Sequence, residues 1–323
     1  MLNVAVTDYT FESLDLERQI LEPLGCRIVD KKCATGSELL ELVKEADYVI
    51  TQFAPLTAAV IDTMQRCRAI VRYGIGVDNV DVEAAAGKGI PVCNVPDYCT
   101  DEVADHTLAL ILALNRQVLT IANQIRQGSW RIVVPVGHMR VLKEMTVGIV
   151  GYGRIGRAVV ARLKPFGCKV RVFDPAVSGT EVERAGCTPV GLEELFETSD
   201  LISLHCPSNS RTRHMINRES LARMRQGVVL VNVARGSLVK TDDLVEALRR
   251  GQVVAAGLDV TDPEPINSDS PLLKMSNVII TNHIASVSVR AVAALRTGVA
   301  QTVACGIRGE PLPNVVNGVR APA

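Results

Sequence analysis

Aromatic side chains are scarce in this 323-residue chain: five Phe, five Tyr and one Trp amount to 3%, against 47% hydrophobic residues in all. A core so poor in rings has to be built from Val, Ile, Leu and Ala, which parallel sheets buried on both faces and their covering helices prefer. Net charge is missing as well. The 35 Lys and Arg balance the 35 Asp and Glu, so no basic field draws the chain to nucleic acid or to an anionic membrane surface. Long apolar runs are absent: the stretch Thr107 to Leu114 stops at Asn115-Arg116, and a membrane span needs about 20 residues. The opening Met1-Leu-Asn-Val-Ala-Val-Thr-Asp has neither a basic leader nor an extended apolar region, so the expected location is the cytoplasm. Nine cysteines are scattered from Cys26 to Cys305 without a CxxC pair. That spacing fits neither a disulfide framework nor a structural zinc site, and no other cluster has metal-ligand spacing.

What is present is a repeated alternation of short apolar runs with helical patterns. Val4 to Thr7, Arg27 to Val29, Tyr48 to Thr51 and Ala69 to Val71 are predicted strands, with a helix over Ser37 to Glu45. A second set begins at Thr146 and continues through Lys169 to Phe173, Leu201 to Leu204, Val228 to Asn232, Val254 to Leu258 and Val278 to Thr281. Strand–helix alternation implies parallel sheets, here two doubly wound units in an α/β chain long enough for two cores. Between them Asp101 to Gln117 is a predicted helix with Thr100 or Asp101 as its cap. Its nearly all-apolar middle requires burial, partly by a second copy of the chain, so a homodimer is expected. A last helix, Val287 to Ile307, follows the second set and is placed to return to the first unit.

The most informative stretch is Thr146-Val-Gly-Ile-Val-Gly151-Tyr-Gly153-Arg-Ile-Gly156. A strand opens into glycines and a helix starts beyond them, so unpaired helix N–H groups face whatever the loop holds, as at a pyrophosphate site. Gly151 serves the tight turn, Gly153 the approach to phosphates and Gly156 the close packing of helix on strand. Asp174 ends the next strand, where a carboxylate meets ribose hydroxyls. It also repels a 2′-phosphate, which favours NAD over NADP.

Three later segments each carry a reactive side chain just after a strand, where ligands of open parallel sheets bind. Arg235 follows Val228-Val-Leu-Val-Asn-Val-Ala and offers a planar pair of donors to a carboxylate, though a surface arginine at a strand end reads the same way. Glu264 stands between Pro263 and Pro265, while Asp262 reads as a turn former. His283 follows Asn277-Val-Ile-Ile-Thr-Asn; alone, it is equally a hydrogen-bonded structural histidine. Together they suit the reduction of a 2-oxoacid. A carbonyl accepting hydride needs a proton donor, a carboxylate beside a histidine favours the protonated ring, and an arginine binds the substrate carboxylate. His205 sits at a strand end and reads as structural, while His106 and His138 have no partner by spacing. Ser237 lacks a nucleophile motif.

The order GYGRIG, Asp174, HCPSNSRT, NVARG, GLDVTDPEP and NHIAS resembles the D-isomer-specific 2-hydroxyacid dehydrogenase family over nearly the whole chain. The resemblance implies a Rossmann cofactor domain of residues 100–285 inserted into a flavodoxin-like catalytic domain of residues 1–99 and 286–323, with dimerisation through the former. It implies Arg235 as the substrate-binding arginine, Glu264 as the acid that tunes the histidine and His283 as general acid/base. Asp259 would contact the nicotinamide carboxamide. Thr107, Arg154, Ile155, Cys206, Pro207, Thr212, Val233, Ala234 and Ser286 would join Gly151, Gly153, Gly156 and Asp174 around NAD. Arg72-Tyr-Gly-Ile75-Gly76-Val-Asp matches the family's substrate loop, so Ile75 and Gly76 would offer backbone N–H groups to the carboxylate.

Asn94 to Thr107 and the His205-Cys206 pair resemble the C-terminal-binding-protein-like, phosphoglycerate dehydrogenase and hydroxypyruvate or glyoxylate reductase branches. Asn282 stands where proline is usual and Ser286 where the corepressor branch carries tryptophan, and the closing helix is followed by too few residues for an appended regulatory domain. An NAD-dependent enzyme acting on a small 2-oxoacid or D-2-hydroxyacid is the first reading. An NAD(H)-sensing interaction module of the corepressor type is the alternative. Phe53, Tyr73, Ile75, Trp130 and His138 are candidates to shape the substrate pocket, and they do not specify its occupant.

Overall fold

The computed structural model describes residues 1–31, 36–131 and 136–319. Cys33 and the last residues of the expected catalytic domain, from Arg320 on, lie outside them, as does the side chain of His138. The chain divides into two compact units, Met1–Tyr98 with the residues from Ser288 onward, and Cys99–Val287.

The first unit is a five-stranded parallel sheet of β1 (Leu2–Val6), β2 (Cys26–Asp30), β3 (Tyr48–Thr51), β4 (Ala69–Arg72) and β5 (Val92–Cys93) in the order β2-β1-β3-β4-β5. That is the flavodoxin-like order. Alternation along the strands feeds two cores. Val4, Val6, Ile50 and Val71 pack with Leu295, Val299 and Val303 of the helix Val289–Ile307, and Ala5, Val49 and Ile70 pack with Leu39, Val43 and Ile61 on the other face. Ser288 caps the closing helix by accepting from Ala291 N at 2.9 Å. A wholly buried carboxylate, Glu17, holds this unit together: Arg296 Nη2 and Nε donate to it at 2.6 and 2.9 Å, and the Tyr73 hydroxyl donates to it at 3.0 Å.

The second unit is a seven-stranded parallel sheet. Its strands are β6 (Thr146–Val150), β7 (Lys169–Phe173), β8 (Thr188–Pro189), β9 (Leu201–Leu204), β10 (Val228–Asn232), β11 (Val253–Leu258) and β12 (Val278–Ile280). The order β12-β11-β10-β9-β6-β7-β8 is that of a Rossmann sheet with one strand added. Ile202, Leu204, Leu230, Ala256 and Leu258 face a core with Leu195, Phe196, Leu221, Leu244 and Leu248. On the other face lies the helix Thr100–Asn115. Gly257 admits it, for a Cβ there would lie 3.0 Å from Leu114 Cδ1. The expected cap is not formed: Cys99 occupies the N-cap position and no side chain caps the helix. Beyond its end the next helix, Val118–Arg126, is bent from it by 64°, and among the described residues no single helix is long and apolar enough to cross a membrane. The two-residue strands β5 and β8 escaped prediction because two residues carry no period.

Replacing Glu17 by Gln leaves the Arg296 guanidinium in the core without its counter-charge. The expected cost is about 3–5 kcal/mol of unfolding free energy, the usual penalty for breaking a buried pair. Urea titration checks it, and a midpoint equal to that of the parent chain would show the pair to be energetically idle.

Candidate active site

The glycine loop follows directly from the end of β6. Gly151 adopts φ +96°, and a Cβ on it would sit 2.7 Å from both His205 C and Cys206 N, so only glycine fits. A Cβ on Gly156 would lie 2.2 Å from the Gly151 carbonyl oxygen, which explains how tightly the helix Arg154–Leu163 meets the loop. Gly153 differs: nothing lies within 4 Å of where its Cβ would be, and no side chain caps the helix it precedes. The loop thus presents open space in front of helix N–H groups, with Arg154 and Ile155 as the first two helical residues, which is the cradle a phosphate requires. Asp174, after β7, accepts from Tyr152 N at 2.7 Å and Ala176 N at 2.8 Å, fixing its carboxylate against this loop. These residues fit a dinucleotide.

Two side chains behind the loop are neutral. Complete burial pushes the His205 imidazole down to about 3, with Nε2 at 2.9 Å from Ser203 Oγ. Burial, aided by the Asp174 carboxylate and partly offset by a backbone hydrogen bond, pushes the Cys206 thiol up to about 11. The segment after Cys206 closes on itself, Thr212 Oγ1 donating to the Pro207 carbonyl at 2.7 Å. It is tied to the next loop by Ser208 Oγ and Ser237 Oγ, 2.7 Å apart.

That next loop carries Arg235. Beyond Val233, which is buried, Ala234 N donates to Asn232 Oδ1 at 3.1 Å and Asn232 Nδ2 donates to the Arg235 carbonyl at 2.7 Å, so the end of β10 sets where the arginine stands. Gly236 lets this turn abut the next strand's loop: a Cβ there would lie 1.9 Å from the Thr261 carbonyl oxygen. Three residues on from Thr261, Glu264 Oε1 is 2.6 Å from His283 Nδ1. A carboxylate only accepts, so Nδ1 carries the proton of this bond and Nε2 is directed to other partners. His283 holds φ +56°, a conformation that costs a non-glycine residue about 1 kcal/mol. It is kept there by its N–H, which donates to the Asp259 carbonyl at 2.7 Å. The Asp259 carboxylate is 1% exposed and accepts from Thr281 Oγ1 at 2.6 Å, Ile284 N at 2.9 Å and Ala285 N at 3.0 Å.

The structure therefore brings Arg235, Glu264 and His283 to the carboxyl ends of the adjacent strands β10, β11 and β12. Ser286 follows in the same turn, half-buried. Thr107 is wholly buried, its hydroxyl donating to the Val103 carbonyl at 2.7 Å. One expectation is corrected. Tyr73 is in the core with its hydroxyl on Glu17, so it does not shape a pocket. Spacing gave His106 no partner, yet its Nε2 lies 3.0 Å from Thr281 Oγ1. No spacing signalled the pairing, because the contact joins positions far apart in the chain.

In the first unit, the loop after β4 is fixed at its carbonyls, Val95 N donating to Gly74 O at 3.0 Å and Asn94 Nδ2 to Ile75 O at 2.6 Å. Gly74 holds φ +146°, and the Arg72 guanidinium occupies the place of its missing Cβ. Phe53, after β3, is 50% exposed, its N–H held by Asp8 Oδ2 at 2.6 Å.

Residues 108–285 match the family described as D-isomer specific 2-hydroxyacid dehydrogenase, NAD binding domain. A glyoxylate reductase of Korarchaeum cryptofilum is 37% identical over 284 residues, 86% of this chain and 85% of that protein. A D-3-phosphoglycerate dehydrogenase of Methanocaldococcus jannaschii is 38% identical over 322 residues, 98% of this chain but 60% of that longer protein. Among solved structures, D-lactate dehydrogenase of Aquifex aeolicus complexed with NAD and lactic acid superposes with a TM-score of 0.87 at 30% identity, covering 99% of this chain and 100% of that one.

Gly236→Ala is expected to force the Arg235 turn away from Thr261 at a cost of about 1–3 kcal/mol. Thermal unfolding measures it, and an unchanged midpoint would mean that the two loops move apart without penalty.

Proposed function

The chain belongs to the D-isomer specific 2-hydroxyacid dehydrogenase family, and on that premise we propose that it interconverts a small 2-oxoacid and the matching D-2-hydroxyacid, with His283 moving the proton. One observation supports this reading above the rest: the 2.6 Å contact of Glu264 Oε1 with His283 Nδ1, beside Arg235 and on the same sheet edge as an open glycine cradle. Bound NADH supplies the hydride. The protein's part is to hold the acid and place the proton. His283 Nε2–H donates to the substrate carbonyl oxygen as that oxygen gains charge, and in the reverse direction Nε2 takes the hydroxyl proton. Glu264 orients the ring through Nδ1. Arg235 grips the substrate carboxylate through its planar fork. Ile75 and Gly76 in the first unit are separate candidates for carboxylate binding through their N–H groups.

Gly151, Gly153, Arg154, Ile155 and Gly156 are assigned to the pyrophosphate and Asp174 to the adenosine ribose, where its charge disfavours a 2′-phosphate. Cys206, Pro207, Thr212, Val233, Ala234, Asp259 and Ser286 complete the candidate NAD contacts. The relatives' names point to glyoxylate and 3-phosphoglycerate as the substrates to try first. A homodimer fits the apolar surface of residues 118–130, where Val118, Ile125 and Trp130 are 55%, 41% and 88% exposed.

His283→Asn is expected to lower kcat for glyoxylate or hydroxypyruvate reduction by about 10²–10⁴, with NADH binding by fluorescence titration unchanged. Glu264→Gln should lower it less, since the amide still holds the ring near its place. Full turnover by His283→Asn would remove this histidine from the mechanism. For assembly, Ile125→Asp should shift the protein from dimer to monomer in light scattering at micromolar concentration; a monomeric parent chain would refute the assignment.

A further inference from the structure

We propose that His106 is a positioning residue for the acid/base histidine, acting through the chain His106–Thr281–Asp259; the proposal rests on the role given above to His283. His106 stands on the helix Thr100–Asn115, its side chain 22% exposed, with Nε2 at 3.0 Å from Thr281 Oγ1 and 3.7 Å from Asp259 Oδ1. The direction of this chain follows from its donors. Thr281 has one hydroxyl proton, and its 2.6 Å contact with the Asp259 carboxylate, an acceptor only, takes that proton. The threonine oxygen is then an acceptor towards His106, so the imidazole is the donor through Nε2–H. A threonine hydroxyl that rotates freely would make a poor donor to Asp259; the histidine fixes its rotation.

The far end of the chain is the turn that carries His283. Three successive amides end on Asp259: His283 N on the carbonyl at 2.7 Å, Ile284 N on Oδ1 at 2.9 Å and Ala285 N on Oδ2 at 3.0 Å. His283 is in the left-handed region, so its backbone is held there by these bonds and not by its own preference. Loss of the Thr281 donor leaves a buried carboxylate short of one hydrogen bond, and the carboxylate reorients towards what remains. The turn then loosens, and the ring no longer holds the aim that proton transfer needs. His106 touches no reacting atom; it sets the turn through Thr281 and Asp259.

The test compares His106→Leu, His106→Gln, Thr281→Val, Thr281→Ser and the double variant His106→Leu with Thr281→Val. Glutamine carries an amide N–H near the place of imidazole Nε2, and serine keeps the hydroxyl. Two readouts are taken. Amide hydrogen exchange of the NAD-free protein, read by mass spectrometry on the peptide spanning residues 282–287, is expected to speed up in the leucine and valine variants only there. Steady-state kinetics with NADH and glyoxylate should show kcat down about tenfold in the same two variants. The Gln and Ser variants are expected to exchange and turn over as the parent does. The double variant should lose no more than either single, since both break one chain. Parent-like exchange and kcat in His106→Leu and Thr281→Val, equal damage in His106→Gln, or losses that multiply in the double variant would each overturn the proposal. Should His106→Leu fail to fold, Thr281→Val against Thr281→Ser decides it alone. An active His283→Asn sinks the acid/base assignment while the exchange measurement still judges the positioning.

Discussion

The carboxylate of Asp259 is the fixed point on which the reactive edge of the second sheet depends. Removing an ionisable group from water is unfavourable unless donors replace the lost hydration. Here a hydroxyl and two amides do so, all three from residues 281–285. The same demand shapes the backbone. To reach both carboxylate oxygens, the chain after β12 folds over Asp259, and His283 at the crest is driven into a conformation that non-glycine residues avoid. The ring then emerges towards Glu264. The position of the histidine is thus a consequence of satisfying a buried charge one strand away.

Parallel pairing supplies the rest of the convergence. Every strand of the second sheet runs the same way, so β10, β11 and β12 end together, and the loops that follow them lie side by side. Close backbone approaches lock those loops: Gly236 against Thr261, Gly151 against His205 and Cys206. Ser208 and Ser237 link the segment after β9 to the segment after β10. A sheet covered on both faces by aliphatic side chains tolerates such packing because few bulky rings intervene, which gives the scarcity of aromatics a structural sense.

The parts legible in the sequence are those with local causes. Strands that alternate with helices announce parallel sheets, a strand that opens into Gly151-Tyr-Gly153 and then a helix announces an anion cradle, and Arg235, Glu264 and His283 each follow an apolar run. Non-local contacts are the parts that were not legible. No spacing joins His106 to Thr281, or Glu17 to Arg296, because those pairings exist only once helices dock on sheets. The cap of the long helix failed for a related reason. Thr100 and Asp101 are good capping residues, but the N-cap position falls on Cys99, which makes Thr100 the first helical residue.

Electrostatics around the glycine loop sharpen what it can select. His205 is held neutral by burial, with its imidazole at about 3, and Cys206 remains a thiol, pushed to about 11. Neither adds charge behind Gly151 near neutral pH. An anion at this loop therefore meets the helix N–H groups and their dipole, which bind any phosphate without regard to what it is attached to. Discrimination has to come from a side chain whose place is fixed, and Asp174 has that place: Tyr152 N and Ala176 N hold one oxygen each, so the carboxylate cannot swing away from an added phosphate. A mobile acid could yield to NADP. One clamped by two backbone amides keeps its place, so the preference for NAD proposed above would rest on the backbone that grips Asp174 as much as on the aspartate itself.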